Sequence, residues 1–386
     1  MMGSTAVVAG GGIAGLASAL GLAQAGWQVT VLEQATELGE VEAGVALARN
    51  GVAALRGLGF EDSSIETLGV PTRAGGIYDP HGRPIRPIAD DVDAVAMRGV
   101  HRARLHSALL QRVRDLDVDL VTGITVTGVR PGSPDGEQAV VLTTGIEHAA
   151  DLVVAADGVR SAVRTALTPS SRAVYSGYSS WRAVTPLARQ PSVLRQYWGP
   201  HAEFGAMPVG PDQTYWYGYV KMPEGITLPD EHAAARDRFA DWAPEVVDMI
   251  EQTDPSAVMR HDVLHLPGGM PRYVIGRVVA TGDAAHGGLP TVGQGAATAL
   301  EDGISVARLV GAPVVAGRPL AAALADYDSQ RRPRCRAISR TALVTARLGS
   351  HLGPRFQGVR NALVRMAPTS AISRGADAVM GWNPPA

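Results

Sequence analysis

The chain has 386 residues, of which 46% are hydrophobic and 19% charged, and its formal net charge is −2. This composition excludes a disordered protein, and the near balance of charge argues against a general nucleic-acid binder, which needs a broad cationic surface. The length exceeds what one hydrophobic core usually organises, so we expect two interlocked domains. A lone cysteine, Cys335, excludes an intrachain disulfide and a cysteine-cluster metal site, and it suits a reducing cytoplasm.

Residues 1 to 32 carry no charged side chain, so that hydropathy alone would suggest a signal peptide or a membrane span. Glycines at 10, 11, 12, 15 and 21 interrupt the stretch, and no basic leader precedes it. We therefore expect a soluble, cytoplasmic chain with no membrane span.

A glycine-rich loop follows a short apolar strand near the N-terminus. Gly10, Gly12 and Gly15 have the GxGxxG spacing, and Ile13 and Ala14 begin an apolar stripe with helical periodicity. In such a strand–loop–helix unit the glycines permit a tight turn, close approach of a pyrophosphate and close packing of helix on strand. The pattern predicts dinucleotide binding.

The next predicted strand, WQVTVLE, ends at Glu33. A carboxylate at this position typically binds the ribose hydroxyls of the dinucleotide. No basic residue stands next to Glu33, so the loop favours FAD or NAD over NADP, and it does not decide between the first two.

A second glycine-rich loop lies far along the chain, between a predicted buried strand over 272–283 and a predicted helix. Its glycines Gly293 and Gly295 stand directly before the helix, whose N-terminus is a favourable place for negative charge. The predicted core-facing stripe of that helix comprises Ala297, Leu300, Ile304, Ala307 and Leu309. Two such loops fit one long ligand with chemically different ends, as in a flavin dinucleotide.

Three motifs in this order resemble those of the single-component, FAD-dependent aromatic hydroxylases, of the para-hydroxybenzoate and salicylate hydroxylase type. The first is the GxGxxG loop with Glu33, and the second is DLVVAADGVRSAVR over 151–164. A helix between them, in GVHRARLHSALL, resembles the one that contributes an FAD-contacting arginine. The residues of the third motif are Gly282, Asp283, Ala284, Ala285, His286, Pro290, Gly293, Gln294 and Gly295.

The resemblance implies FAD as the cofactor and gives roles to individual positions. Asp283 would bind the ribityl chain, and Gly293 to Ala296 would face the reacting ring. Asp157 and Gly158 would lie near the pyrophosphate, and Arg102 would contact FAD. For Asp157 a purely structural role as the turn residue that closes a strand is the alternative.

One departure concerns the third motif. Gly287 follows the histidine where the family commonly has proline. Pro290 is expected to preserve the shape of the loop.

The resemblance further implies a monooxygenase that uses NAD(P)H and O2 to hydroxylate or epoxidise a small hydrophobic, aromatic or polyketide-like substrate through a flavin C4a-hydroperoxide. Because only one dinucleotide fingerprint is present, NAD(P)H is expected to dock transiently. No metal is required. Two alternatives remain open at this point: a flavin-dependent dehydrogenase or reductase of the same fold, and a non-catalytic flavin-binding sensor.

The predicted fold class is α/β, with a Rossmann-type FAD-binding domain interleaved with a smaller β-sheet substrate domain and followed by C-terminal helices. The substrate sheet is expected to contain YSGYSSWRAV, VLRQYWG, AEFGAMPVG and TYWYGYVK. The predicted ranges are 1–72, 96–173 and 268–330 for the FAD-binding domain, 73–95 and 174–267 for the substrate domain, and 331–386 for the helical segment.

Alternation along TYWYGYVK places Tyr215, Tyr217 and Tyr219 on one face of the sheet and Trp216 and Val220 on the other. One row could line a pocket, whereas for any single tyrosine cross-strand packing in a half-buried sheet is the favoured alternative.

Three side chains are candidates for the catalytic site. Tyr217 and His261 are candidate bases, and His261 shares a face with His265 if RHDVLHL is a strand. Arg49 is a candidate for binding a substrate anion or the nicotinamide phosphate. Residues 205–208 hold no titratable group, so a substrate-activating base must come from elsewhere unless the substrate needs none.

From Arg331 to Arg374 the sequence contains ten arginines and no acidic residue. Apolar positions such as Ala342 and Leu363 predict amphipathic helices there, whose arginines most simply contact the acidic remainder of the chain. The alternative partner is an acidic carrier protein. The sequence leaves a monomer and a homodimer equally open.

Overall fold

The computed structural model describes residues 3–39, 43–88, 93–186 and 193–386. The elements form two large sheets, one small sheet and surrounding helices. The predicted α/β class is confirmed.

The strands are numbered in chain order. They are β1 Thr5–Ala9, β2 Gln28–Leu32, β3 Gly44–Ala48, β4 Gly69–Tyr78, β5 Pro84–Pro87, β6 Ala96–His101, β7 Val118–Val121, β8 Val126–Arg130, β9 Ala139–Thr143, β10 His148–Ala150, β11 Leu152–Ala155, β12 Val174–Pro186, β13 Leu194–Gly199, β14 Ala202–Gly210, β15 Gln213–Lys221, β16 Met259–His265, β17 Val274–Ile275 and β18 Val278–Ala280.

The helices are numbered in the same way. They are α1 Ile13–Gln24, α2 Arg49–Gly57, α3 Asp62–Thr67, α4 Arg102–Arg114, α5 Ala162–Leu167, α6 Glu231–Phe239, α7 Pro244–Glu251, α8 Gly282–His286, α9 Gly295–Ser305, α10 Ala312–Val315, α11 Leu320–Leu348, α12 Gln357–Met366 and α13 Thr369–Met380.

A six-stranded sheet has the order β17-β18-β11-β1-β2-β7. Strand β1 lies parallel to both β2 and β11, so the chain leaves β1 to one side and later returns to the other. In such sheets ligands bind at the carboxyl ends of the strands beside this switch point. The first loop, residues 10–15, begins directly after β1 and therefore lies at that position.

The predicted single strand over 272–283 is wrong in one respect. The segment forms two short antiparallel strands, β17 and β18, with Gly276 between them. Gly276 has a φ of 59°, and a Cβ atom built on it lies 2.5 Å from the carbonyl oxygen of Pro131. This left-handed, crowded position turns the chain, because only glycine adopts it without strain.

A nine-stranded sheet has the order β16-β12-β15-β14-β13-β4-β6-β3, with β5 paired to β4. All four segments predicted for the substrate sheet are strands of it. Strand β4 runs across the predicted domain boundary at residue 72, and β3 and β6 also join this sheet, so it continues into segments assigned to the other domain. A separate three-stranded sheet has the order β10-β9-β8.

The two faces of the nine-stranded sheet have different neighbours, as the alternation along β15 predicts. Trp216 and Val220 pack with Phe239 of α6 and Val246 of α7. The opposite face carries Tyr215, Tyr217 and Tyr219 and is called the tyrosine face below. Its neighbours include Leu289 and Val292 after α8, and Ala342 and Ala346 of α11.

Within the described ranges, no helix combines the length and the apolar character that crossing a membrane requires.

Candidate active site

The backbone conformation of the first loop requires glycine at two positions. Gly10 has a φ of 107°, and a Cβ on it would lie 2.4 Å from the carbonyl oxygen of Ala156, at the end of β11. A Cβ on Gly15 would lie 1.9 Å from the carbonyl oxygen of Gly10. Helix α1 begins at Ile13 with Gly12 as its N-cap and no side-chain cap, so its first-turn N–H groups are available to a phosphate.

Glu33 stands one residue beyond β2 and is fixed beside the first loop. Its Oε2 accepts a hydrogen bond from the backbone N–H of Gly11 at 2.7 Å, and its Oε1 accepts one from Ala35 at 2.9 Å. The carboxylate is thus held where a ribose next to the loop would meet it.

Asp157 has the structural role that the sequence left as an alternative. Its Oδ1 accepts a hydrogen bond from the Ser161 hydroxyl at 2.5 Å, and its Oδ2 accepts one from the N–H of Val163 at 3.0 Å, so it closes the turn before α5. Burial raises the pKa of this carboxyl, and the two hydrogen bonds oppose the rise. Gly158, with a φ of 75°, has no atom within 4 Å of a built Cβ and faces open space.

The two glycine loops meet in space. Gly282 has a φ of 55°, and a Cβ built on it lies 2.8 Å from the Cβ of Ala14 in the first loop. Asp283 is exposed, whereas the residues on either side of it, Gly282 and Ala284, are buried. The exposed carboxylate of Asp283 thus lies near the N-terminus of α1.

The remainder of the second loop, residues 282–296, forms an open cradle. Pro290 begins a short 3-10 turn, and Gly293, with a φ of 62°, ends it. A Cβ on Gly293 would lie 3.8 Å from Ala46 of β3, and one on Gly295 would meet no atom within 4 Å. Gln294 is buried and accepts a hydrogen bond from the amide of Asn50 at 2.9 Å.

A network of buried charged side chains forms hydrogen bonds with this loop. Asp302 Oδ2 accepts hydrogen bonds from the N–H of Gly282 at 2.7 Å and from His286 Nε2 at 2.5 Å. Arg331 of α11 donates to Asp302 Oδ1 at 2.8 Å and to Glu301 Oε2 at 2.7 Å. Burial opposes the charging of His286, but Cys335 and Asp302 outweigh it and raise the pKa of the imidazole well above its usual value. The network comprises His286, Glu301, Asp302 and Arg331.

Three potential metal ligands lie within this region: His286, Asp302 and Cys335 have ligand atoms within 4.8 Å of one another. The Arg331 guanidinium also donates to Cys335 Sγ at 3.5 Å and to the Asp302 carboxylate. A fixed cation on two of the three groups disfavours a metal ion there, because like charges repel.

The tyrosine face holds a polar cluster in otherwise apolar surroundings. The Tyr217 hydroxyl donates to Glu203 Oε1 at 2.7 Å, and the Gln196 amide donates to Glu203 at 2.9 Å and to the Tyr217 oxygen at 3.1 Å. Glu203 is 2% exposed, and burial raises its pKa to about 7 despite these hydrogen bonds. We call Glu203, Tyr217 and Gln196 the Glu203 cluster.

Gly205 allows the Tyr217 ring to lie flat against β14. A Cβ on Gly205 would lie 2.3 Å from the Tyr217 ring carbons Cε1 and Cζ, and 2.5 Å from the hydroxyl oxygen. Burial and then the Glu203 charge raise the pKa of Tyr217 well above its usual value. Tyr217 therefore stays a neutral hydrogen-bond donor and does not act as a phenolate base.

His261 lies on the same face of the sheet, opposite Ser180 in the pairing of β12 with β16. Part of its side chain is exposed, but partial desolvation and then the positive charges of Arg182 and Arg102 together lower its pKa to about 3. The imidazole is therefore uncharged at neutral pH. Arg182 and Arg102 consequently bring positive charge to this end of the tyrosine face.

Arg49 begins α2 and forms an ion pair with Asp377 of α13, with Nη2 and Oδ1 2.5 Å apart. Both side chains are largely exposed. The guanidinium is therefore already paired on the outside of the molecule.

Sequence reasoning missed Glu203. The signal was a single acidic residue in the apolar stretch AEFGAMPVG, two positions before Gly205 and thus on the same strand face. Residues 205–208 hold no titratable group, and Glu203 lies one alternation earlier on the same face of the strand.

The arrangement fits FAD. The first loop offers free backbone N–H groups and a ribose-binding carboxylate at one end, and the second loop offers Asp283 and an open, glycine-lined cradle at the other. Ala46 of β3 faces Gly293 and packs on the same cluster of buried residues as Tyr217, so the cradle adjoins the tyrosine face. When bound, FAD supplies the redox chemistry that activates O2.

Comparison with known proteins agrees with this assignment. The family model described as FAD binding domain matches residues 4–342. The aurachin C monooxygenase/isomerase of Stigmatella aurantiaca is 36% identical over 380 residues, which cover 96% of each chain. The 2-heptyl-3-hydroxy-4(1H)-quinolone synthase of Pseudomonas aeruginosa is 30% identical over 382 residues, again 96% of each. The structure of Klebsiella pneumoniae HpxO with FAD and uric acid has a TM-score of 0.86 and 27% identity, covering 99% of this chain and 97% of that one.

The fold and the two converging loops define a flavin-dependent oxidoreductase. The chain belongs to the FAD-binding domain family, and it is an FAD-dependent monooxygenase. Its reaction consumes NAD(P)H, a proton and O2, places one oxygen atom in a small aromatic substrate and releases the other as water. The predicted family, cofactor and enzyme class are confirmed.

Proposed function

We propose that this monooxygenase acts on an uncharged, fused nitrogen heteroaromatic ring of the 4-quinolone class that carries an apolar chain. Two relatives that match over 96% of their length are named for aurachin C and for 2-heptyl-3-hydroxy-4(1H)-quinolone. The observation that carries the proposal in this chain is the Glu203 cluster.

The chemistry of the cluster suits such a ring. A quinolone presents an N–H donor and a carbonyl acceptor, which match the carboxylate of Glu203 and the amide donor of Gln196. Transfer of an oxygen atom to a ring carbon, with cleavage of the O–O bond, would leave positive charge on the ring nitrogen, and a carboxylate that accepts the N–H proton would neutralise it. A pKa of about 7 suits Glu203 to this general-base role near neutral pH.

Around the cluster the walls are apolar. Leu289 and Val292 from the second loop, Leu343 from α11 and Val263 from β16 pack around Tyr217 and Tyr219. These side chains would accept an alkyl or isoprenoid chain and exclude water from the reaction.

In this proposal the cofactor-binding residues other than Asp157 keep the roles that the family resemblance implies. Gly10 to Gly15, Glu33 and Gly158 hold the adenosine diphosphate portion, Arg102 contacts FAD, and Asp283 with Gly293 to Ala296 holds the flavin end. Asp157 positions this site through its turn.

Measurements of NAD(P)H oxidation and O2 uptake test the proposal, with a 2-alkyl-4-quinolone, salicylate and urate compared as substrates. We expect the quinolone to stimulate both rates and to gain one oxygen atom by mass spectrometry. With the quinolone, kcat/KM should rise with pH through an inflection near the Glu203 pKa of about 7, and Glu203→Gln should remove the inflection.

Glu245→Gln is the matched control. Glu245 also accepts a hydrogen bond from a tyrosine hydroxyl, that of Tyr197 at 2.9 Å, but Tyr197 packs on the opposite face of the sheet. The inflection should persist in Glu245→Gln and in His261→Asn. An unchanged pH profile in Glu203→Gln would refute the general-base role.

One observation favours a second substrate class. Arg182 is partly buried on the tyrosine face, and among the described residues its side chain forms no ion pair. A carboxylated aromatic ring would pair with such a cation. Stimulation by salicylate and not by the quinolone would therefore replace the quinolone proposal with this one.

A further inference from the structure

The C-terminal helices expose an unusual concentration of apolar side chains. Of nine exposed large hydrophobic residues among those described, six lie between positions 344 and 366. Their exposures range from 48% for Leu348 to 73% for Met366. Clusters of this kind on a monomer mark interaction sites, whereas single exposed apolar residues need no explanation. Six residues at the end of α11, in the 3-10 turn Pro354–Phe356 and on α12 are together called the C-terminal apolar face: Val344, Leu348, Phe356, Val359, Leu363 and Met366.

This face lies on rigid structure. Val359, Leu363 and Met366 occupy positions i, i+4 and i+7 of α12 and therefore share one side of the helix. On the other side, the buried Arg360 donates to the carbonyl oxygens of Leu348 and Trp198 at 3.0 and 3.2 Å. The helix is thus fastened to the end of α11 and to the substrate sheet with its apolar side turned outward.

The surroundings of the face are cationic. Arg340, Arg347, Arg355, Arg365 and Arg374 are exposed, and no acidic residue occurs between positions 331 and 374. The chain as a whole has a net charge of −2, so positive charge is concentrated here. Apolar side chains flanked by arginines are the combination by which helices bind the surface of anionic membranes.

Helix α11, which bears part of this face, also packs against the tyrosine face, where the proposed function places the substrate. Ala342 and Ala346 of α11 pack against Tyr219, and Leu343 packs beside them, whereas Val344 and Leu348 point to solvent. The pocket wall and the exposed face are therefore separated by about 10 Å, the thickness of one helix.

We propose that the C-terminal apolar face docks this enzyme on an anionic lipid bilayer, from which a lipophilic substrate reaches the pocket beside α11. The docking itself is independent of the substrate, while its purpose rests on the proposed quinolone, whose apolar chain partitions into lipid.

Two other occupants fit less well. A two-fold homodimer contact would set the same arginines against each other, since an isologous interface repeats one patch on both sides. Docking of an acidic carrier protein requires the arginines but leaves six exposed apolar side chains without a role.

Vesicle sedimentation with the full-length, FAD-loaded protein tests the docking. We expect binding to vesicles of equal parts phosphatidylcholine and phosphatidylglycerol, little binding to phosphatidylcholine alone, and weaker binding at high salt. Leu363→Glu should weaken binding by about tenfold or more, because it places an acid in the lipid-facing row. Ile146→Glu, at a residue 75% exposed and remote in sequence, is the matched control and should bind like the unaltered protein.

Three results would overturn the docking proposal. They are absence of binding to the anionic vesicles, equal loss of binding in both variants, and a dimer by light scattering that Leu363→Glu dissociates. Circular dichroism and urea unfolding of both variants establish that they fold. No quinolone is needed in this assay, so its failure leaves the proposed substrate standing, and failure of quinolone turnover leaves the vesicle result standing.

Discussion

Replacing Arg331 by methionine should destabilise the protein strongly and loosen the flavin end of the cofactor site. Arg331 is 1% exposed, and its two partners, Glu301 and Asp302, are fully buried. Removing the cation breaks two buried ion pairs and leaves Asp302 with only His286, and Glu301 with only Arg334, as a cationic partner, which costs roughly 3–5 kcal/mol of the free energy of unfolding. Asp302 also fixes Gly282 and His286, so affinity for FAD should fall as well.

The neighbouring Arg332→Met provides the control for this prediction. Arg332 pairs with Asp328 at 2.9 Å one helical turn away, but these side chains are 28% and 19% exposed. Such a pair contributes only about 0–1 kcal/mol, because water solvates the charges when the pair is broken. Both variants have the same substitution in the same helix and differ in burial.

Urea unfolding of the apoproteins, followed by circular dichroism, measures the free energy of unfolding. Quenching of flavin fluorescence on titration measures the FAD dissociation constant. In the double variant with Asp302→Asn, part of the loss should be recovered, since one of the two buried carboxylates that lost the Arg331 cation is then replaced by a neutral amide. If the free energies of unfolding of Arg331→Met and Arg332→Met differ by less than about 1 kcal/mol, the buried network makes no special contribution and the prediction is refuted.

Three further predictions concern the cofactor cradle and the Glu203 cluster. The apoproteins of Gly295→Val and Gly358→Val should have similar free energies of unfolding, since both glycines face open space. Only Gly295→Val should weaken FAD binding in a titration. Equal FAD affinities of the two variants would place the flavin elsewhere. The raised pKa of Glu203 favours its neutral form in the folded state, so stability should decline as pH rises from 4.5 to about 7, by up to about 3 kcal/mol, and urea unfolding of Glu203→Gln should show no such decline. Gly205→Ala should push the Tyr217 ring out of place and raise KM for the substrate more than it lowers kcat, and an unchanged KM would show that the ring does not contact substrate.

Much of the cofactor site could be predicted because its requirements are local. A glycine is needed wherever the backbone turns with positive φ or another carbonyl comes close, and Gly10, Gly15 and Gly282 meet those conditions. Spacing along a strand likewise predicted that Tyr217 and Trp216 would occupy opposite faces, since side chains in a strand alternate.

The remainder depends on contacts between distant parts of the chain. Nothing near Arg49 in the sequence indicates its partner Asp377, which is 328 residues away. The break of the predicted strand at Gly276 follows from its approach to Pro131, and the importance of Glu203 follows from its proximity to Gln196 and Tyr217.

By itself, then, the sequence determined the two glycine loops and the alternating faces of the substrate sheet, because backbone sterics and side-chain period act over a few residues. The choice of FAD over NAD came from the resemblance of three motifs to a known family. Only the tertiary structure decided which charges are buried together, as in Arg331 with Asp302, and which apolar side chains remain outside, as in Leu363 and Met366. The physical reason is that desolvation and ion pairing depend on what packs against a side chain, and that is fixed by the whole fold.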